Sequence, residues 1–124
     1  MRYTHLYADA NGHSRFEDAR LPMDEDASGP GVAELVSGDQ AVAGLRFLTL
    51  PPGWFQEQQP ANNRRWLLVL GGVLDVEASD GEVRRFGPGS VLLVEDTSGL
   101  GHRGRVVGGP AEIAIAPLAD EFSA

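Results

Sequence analysis

Turn signals interrupt this chain at roughly 8–12-residue intervals, and that rhythm limits its possible folds more than anything else in it. Pro51-Pro52-Gly53, Gly71-Gly72, Ser79-Asp80-Gly81, Gly87-Pro88-Gly89, Asp96–Gly101 and Gly108-Gly109-Pro110 are the breaks. Glycine and proline punctuate because one tolerates positive φ and the other fixes φ and lacks an amide hydrogen. Between the breaks lie short runs rich in Val, Leu, Ile and Phe: Gln40–Leu50, Arg65–Leu70, Val73–Ala78, Glu82–Phe86, Ser90–Glu95, His102–Val107 and Ala111–Ala116. None carries a helical period of useful length. An all-β sandwich or small barrel is the expectation.

The first third extends the same pattern. Arg2–Tyr7 and His13–Leu21 read as strands around an Asp9–Gly12 turn, and Val32–Val36 reads as a third. Met23–Gly31, acidic and aperiodic, reads as a surface loop. Gly44 inside its run suggests a bulge or a close backbone approach. The expected organisation is one domain over residues 1–124: N-terminal strands in 1–36, a barrel over 40–116 and a short tail over 117–124. A chain of this length with 42% hydrophobic residues can bury a real core.

Composition narrows the partners. Eighteen acidic against ten basic residues give a net charge of −8, which disfavours nucleic acid and anionic membrane. No apolar run is long enough to span a bilayer, and MRYTHLYADA lacks the apolar core of a signal peptide. The absence of cysteine removes disulfides, thiolate metal ligands and a cysteine nucleophile together. A cytoplasmic protein binding a small molecule is expected.

The stretch Gly53–Gly72, GWFQEQQPANNRRWLLVLGG, carries the most information about a site. If it is regularly extended, Gln59, Ala61, Asn63, Arg65, Leu67 and Val69 share one face, and Trp66, Leu68 and Leu70 share the other. Arg65 then heads an otherwise apolar row. It either anchors a carboxylate, enolate or phenolate of a ligand, or pairs internally with Glu57, Glu95 or Asp96.

The same stretch resembles a known family. Gly53, five residues, Gln59, one, Ala61, three, Arg65, six, Gly72 matches the spacing of the first cupin motif, G-x5-H-x-H-x3-E-x6-G. The later segment FGPGSVLLVEDTSGLGH, Phe86–His102, is similar to the second, in which a Pro-Gly turn starts a strand leading to a histidine. The resemblance spans about Leu45 to Ile115. It implies a double-stranded β-helix (jelly-roll) barrel with a pocket between its sheets, commonly in a homodimer. Metal-dependent cupins hold their ion with the two His and the Glu of the first motif and the His of the second. Here those positions carry Gln59, Ala61, Arg65 and His102. A guanidinium stays charged and repels a divalent ion, so no metal and no other cofactor is expected.

His102 is accordingly the general acid–base candidate, or else a hydrogen-bonded strand-end histidine. Gln59 can orient and polarise a carbonyl oxygen without exchanging a proton, whereas Gln56 and Gln58 read as polar loop. Trp54, Phe47, Leu67 and Val69 are the candidate apolar contacts, with Glu95 at the pocket mouth. Trp66, Leu68 and Leu70 suit packing or a dimer interface, and His5 and His13 read as surface residues. The leading expectation is a metal-independent enzyme for cyclisation, isomerisation or dehydration of a carbonyl-bearing natural-product intermediate. A non-catalytic binding or sensing protein and a metal-dependent oxygenase with an atypical ligand set are the alternatives.

Overall fold

In the computed structural model, which describes residues 1–119, strands form where apolar or β-branched runs meet turn residues. They are β1 (Arg2–Ala8), β2 (Ser14–Arg20), β3 (Asp24–Asp26), β4 (Glu34–Val36), β5 (Arg46–Leu50) and β6 (Phe55–Gln59). Then follow β7 (Arg65–Gly71), β8 (Leu74–Ala78), β9 (Val83–Phe86), β10 (Val91–Val94), β11 (His102–Val106) and β12 (Ala111–Pro117). Of the expected tail, residues 120–124 lie outside the described residues, while Pro117 belongs to β12.

Three local readings change. The acidic loop supplies a strand: Asp24–Asp26 pairs antiparallel with Glu34–Val36, since main-chain bonding asks nothing of the side chains. The polar run Phe55–Gln59 is a strand as well. Conversely, Gln40–Leu50 is extended in the ladder only from Arg46. Ala41–Ala43 instead bond the far end of β12: Ala43 N–H donates to the Pro117 carbonyl at 2.8 Å and Ala119 N–H to that of Ala41 at 3.1 Å. Gly44 therefore sits outside any strand and marks no bulge.

Strand order defines the architecture. One sheet reads β2-β1-β10-β7-β12-β5, a second β6-β11-β8-β9, and β3-β4 form a separate hairpin. From β5 to β12 the chain crosses between the two main sheets at every step except β8 to β9, a hairpin within the smaller sheet, giving β5-β12-β7-β10 against β6-β11-β8-β9. That is the order of an eight-stranded jelly roll, the double-stranded β-helix of cupins. The N-terminal strands lie on their own barrel: β1 runs parallel beside β10, with Leu6 opposite Val94, and β2 forms the outer edge.

The core lies between the two sheets and is densest at the end near β9. Leu6, Val69, Leu92, Val94, Ile113 and Ile115 project from the larger sheet; Leu74, Val76, Ala78, Phe86 and Val106 come from the smaller. Phe16 of β2 extends this core by packing on Phe86, with ring centroids 6.1 Å apart. On the outer face, Trp66 is covered partly by Tyr3, edge-on at 5.2 Å.

Asp75 is a charge held within the smaller sheet. It is 5% exposed, and Arg85 grips it with two bonds, Nε to Oδ1 at 2.9 Å and NH2 to Oδ2 at 3.1 Å. Arg105 adds a third at 3.3 Å. Arg85 first, and Arg105 less so, hold this carboxyl below the usual aspartate range, against burial that pushes the other way. A depressed folded value stabilises the fold at pH above the unfolded one, about 3.9, and that contribution disappears as pH falls toward the folded value. Asp75→Asn is thus expected to lower the thermal midpoint at pH 7. The gap to wild type should narrow below about pH 4 in melts followed by circular dichroism.

Candidate functional site

The sheets part around a cavity of about 280 Å³ that Leu6, Leu92 and Val94 of this core also line. Its walls are apolar: Leu48 and Leu50 from β5, Leu67 from β7, Ile113 and Ile115 from β12, and Leu74 and Val76 facing them. Polar groups gather toward one side, namely Arg46, Arg65, Gln56, Gln59, Asn62 and His102. Trp54 closes the wall next to Gly104. A Cβ at Gly104 would lie 3.7 Å from the indole, an ordinary van der Waals contact.

His102 begins β11, on the inner row that continues through Gly104 to Val106. Its Nδ1 meets Asp96 Oδ2 at 2.6 Å. Asp96 is fully buried, and its second oxygen, Oδ1, has no partner among the described residues. An ionised carboxylate only accepts, which assigns the proton to Nδ1 and leaves Nε2 for a ligand. The two residues meet because the glycine-rich loop folds tightly back. Gly101 has φ of +73°, and a Cβ there would overlap the carbonyl group of Gln59 and the nitrogen of Pro60. The Gly101 carbonyl is in turn held by the buried Ser14 hydroxyl at 2.7 Å, and Ala61 N–H donates to the Asp96 carbonyl at 3.0 Å.

Gln59 is the direct cross-strand partner of His102. Two steps along β11 bring Gly104 opposite Gln56, three steps along β6, so β6 is bulged there. The bulge turns both Gln56 and Gln59 into the cavity. Gln58 stays outside, accepting from Arg103 NH2 at 3.2 Å. Gln56, set aside as loop on sequence grounds, is therefore a lining residue.

Arg65 opens the inner row of β7 and is partly buried. Its Nε donates weakly to the Asn63 carbonyl at 3.4 Å. Burial, and next the repulsion of Arg46, lower its proton affinity, with Asp96 opposing them from a distance. Arg46 is a lining residue beyond those expected, and its signal is strand parity: Leu50 is buried and Leu48 lines the cavity, so Arg46 shares their face.

Of the residues expected in the site, His102, Arg65, Gln59, Trp54 and Leu67 line the cavity. Three do not. Phe47 is 68% exposed, because alternation along β5 sends it outward between Arg46 and Leu48. Val69 is 1% exposed and packs in the core, two residues deeper on β7 than Leu67. Glu95 lies on the outer side of its strand, where it meets His5 Nε2 and Arg64 Nε, each at 2.6 Å. His5 also contacts Glu17 through Nδ1 at 2.6 Å, so it is a clustered group rather than a free surface histidine.

The residues at the metal-ligand positions of cupins do not fit an ion here. An amide, a methyl group, a cation and one imidazole face the cavity, and no carboxylate lines it. Among the described residues no group of three or more His, Cys, Asp or Glu side chains is placed to hold a metal ion. No described helix is long and apolar enough to cross a membrane.

No protein-family model matches the sequence, and no curated protein does so significantly. Solved structures match in shape only. A conserved protein of unknown function from Streptococcus pyogenes is 12% identical over 67% of this chain and 68% of that one, with a TM-score of 0.49. A protein from Neisseria meningitidis is 18% identical over 59% and 71%, TM-score 0.47. An RmlC-like cupin family protein with a double-stranded β-helix fold, from Methanocaldococcus jannaschii, is 16% identical over 85% and 97%, TM-score 0.45. At these values the likenesses carry nothing about function, and the strand order itself defines the fold.

Gly101→Ala is expected to strain the left-handed backbone and push Gln59 off the loop. The cost should be about 1 kcal/mol or more in denaturant unfolding. The His102 ring resonances should shift along with it in NMR spectra.

Proposed function

We propose that the cavity is the active site of a metal-independent enzyme that moves a proton on a carbonyl-bearing small molecule. Isomerisation, cyclisation and dehydration all begin with such a step. The observation that carries the reading is the 2.6 Å contact between His102 and the fully buried Asp96 at the cavity wall. An acid behind an imidazole fixes the ring's tautomer and stabilises the imidazolium formed when the ring accepts a proton. Leaving one Asp96 oxygen unsatisfied costs about 1–3 kcal/mol, which a merely structural histidine would not require.

In this reading Nε2 of His102 removes a proton from the carbon beside the substrate carbonyl. The electron pair moves into the carbonyl, and the resulting enolate oxygen lies against the Gln59 amide and the Arg65 guanidinium. Donors placed in advance at a developing negative charge lower the barrier more than they tighten ground-state binding. Nε2 then returns the proton to a different carbon, completing an isomerisation, or the enolate carbon adds to a second carbonyl of the same substrate, breaking its π bond and closing a ring as Nε2 returns the proton to the new alkoxide oxygen. Trp54 and the aliphatic rows hold the skeleton and keep water away from the enolate.

The test is deuterium uptake beside the carbonyl of monocyclic ketones such as 4-phenylbutan-2-one, followed in D2O by proton NMR. Wild type is expected to exceed buffer, before and after chelator treatment. His102→Gln should lose about 10²-fold or more while its circular dichroism stays native. Equal uptake by His102→Gln and wild type would remove the proton-transfer role. Equal uptake by wild type and buffer across the ketone panel would leave the binding-protein reading in its place.

A further inference from the structure

We propose that the ligand of this cavity is a monocyclic organic acid whose carboxylate is clamped between Arg46 and Arg65. The inference rests on the reading of the cavity as a substrate site and names the class of substrate. Its first support is the contrast between cavity and chain. The protein carries 18 acidic residues and a net charge of −8, yet no Asp or Glu lines the cavity, and two arginines do. Among the described residues, six of the eight arginines outside the cavity reach acids: Arg15 reaches Asp9, Arg64 reaches Glu95, Arg84 reaches Asp18 and Glu82, Arg85 and Arg105 reach Asp75, and Arg103 reaches Glu77, while Arg2 and Arg20 do not. Among the described residues Arg46 and Arg65 have no such partner. The nearest acid to act on Arg65 is Asp96, and that group is engaged by His102.

The second support is the register. Arg46 lies opposite Ile115 on one side of β12, and Arg65 lies opposite Pro117 on the other. Ile115 and Pro117 have the same parity, so both arginines rise from the cavity face. Their strands are two spacings apart, about 10 Å, a gap that two long side chains can close from opposite sides onto one small anion. Like charges held this close oppose each other, and an anion between them removes that opposition. A guanidinium fork matches a carboxylate in two parallel bonds.

The third support is shape. The remaining lining is predominantly aliphatic, with Trp54 the sole aromatic among the lining residues. The cavity volume is about 280 Å³. One ring and a short chain fit that space. The acid would be anchored at the Arg46–Arg65 side, leaving the chain between carboxylate and ring to pass His102.

The experiment is calorimetric titration of wild type with 3-phenylpropanoate, with 3-phenylpropanamide of the same shape and no charge, and with phenyl phosphate. The acid is expected to bind at least about tenfold tighter than the amide, the margin of one good charge-assisted contact. Arg46→Gln and Arg65→Gln should each weaken the acid by a similar factor and leave the amide unchanged. Binding of the acid requires no proton transfer, which separates this inference from the proton-transfer reading. Acid binding with no ketone exchange would support the clamp and sink the catalysis. Equal affinity for acid and amide, no acid binding at all, tighter binding of phenyl phosphate, or acid binding indifferent to both arginine changes would each overturn the clamp.

Discussion

Two guanidinium groups on inner rows of one sheet cannot both be covered by the opposite sheet, since dehydrating a cation with no acid beside it costs several kcal/mol. The barrel is sealed at Phe86, Val69 and Ala78, which are buried and do not line the cavity, and stays parted where Arg46 and Arg65 stand. The cavity is the geometric result of that conflict. Its polar side is not a random sample of the chain: in a protein with 18 acidic residues, none lines the cavity where Arg46 and Arg65 stand. The imidazole and the amides collect at the same end, on β11 and β6.

Position along each strand determines which polar groups can act together. On β10 and its extension, Leu92, Val94 and Asp96 point inward, while Leu93 and Glu95 point away. Two adjacent acids consequently do different work. Asp96 is sealed beneath His102, and Glu95 ties His5 and Arg64 together outside. The irregularity in β6 has the opposite effect: it overrides parity and brings Gln56 and Gln59 to one side.

Much of this was legible from residue order alone. The turn signals placed nine of the twelve strands to within a few residues, and the motif spacing put Gln59, Arg65 and His102 in one cavity. Parity would also have chosen Arg46 over Phe47 and Asp96 over Glu95, because each shares a row with buried leucines or valines. Three features escape that kind of reading for physical reasons. A bulge is set by how two strands pair, so the inward turn of Gln56 is invisible in either strand by itself. The β3–β4 hairpin is held by main-chain bonds that leave no hydrophobic pattern. The bonding of Ala41–Ala43 to the end of β12 joins segments more than seventy residues apart.

The parallel lane formed by β1 has a mechanical consequence. Glu95 N–H donates to the Leu6 carbonyl at 2.7 Å, and His5 grips the Glu95 side chain one residue before Asp96. The chain's opening segment thus serves as a splint for an acid ninety positions downstream. Anything that peels that splint away, whether a proteolytic nick after Ala8 or a bulky fusion wedged beneath β1, would slacken the support behind the imidazole and withdraw Leu6 from the cavity wall.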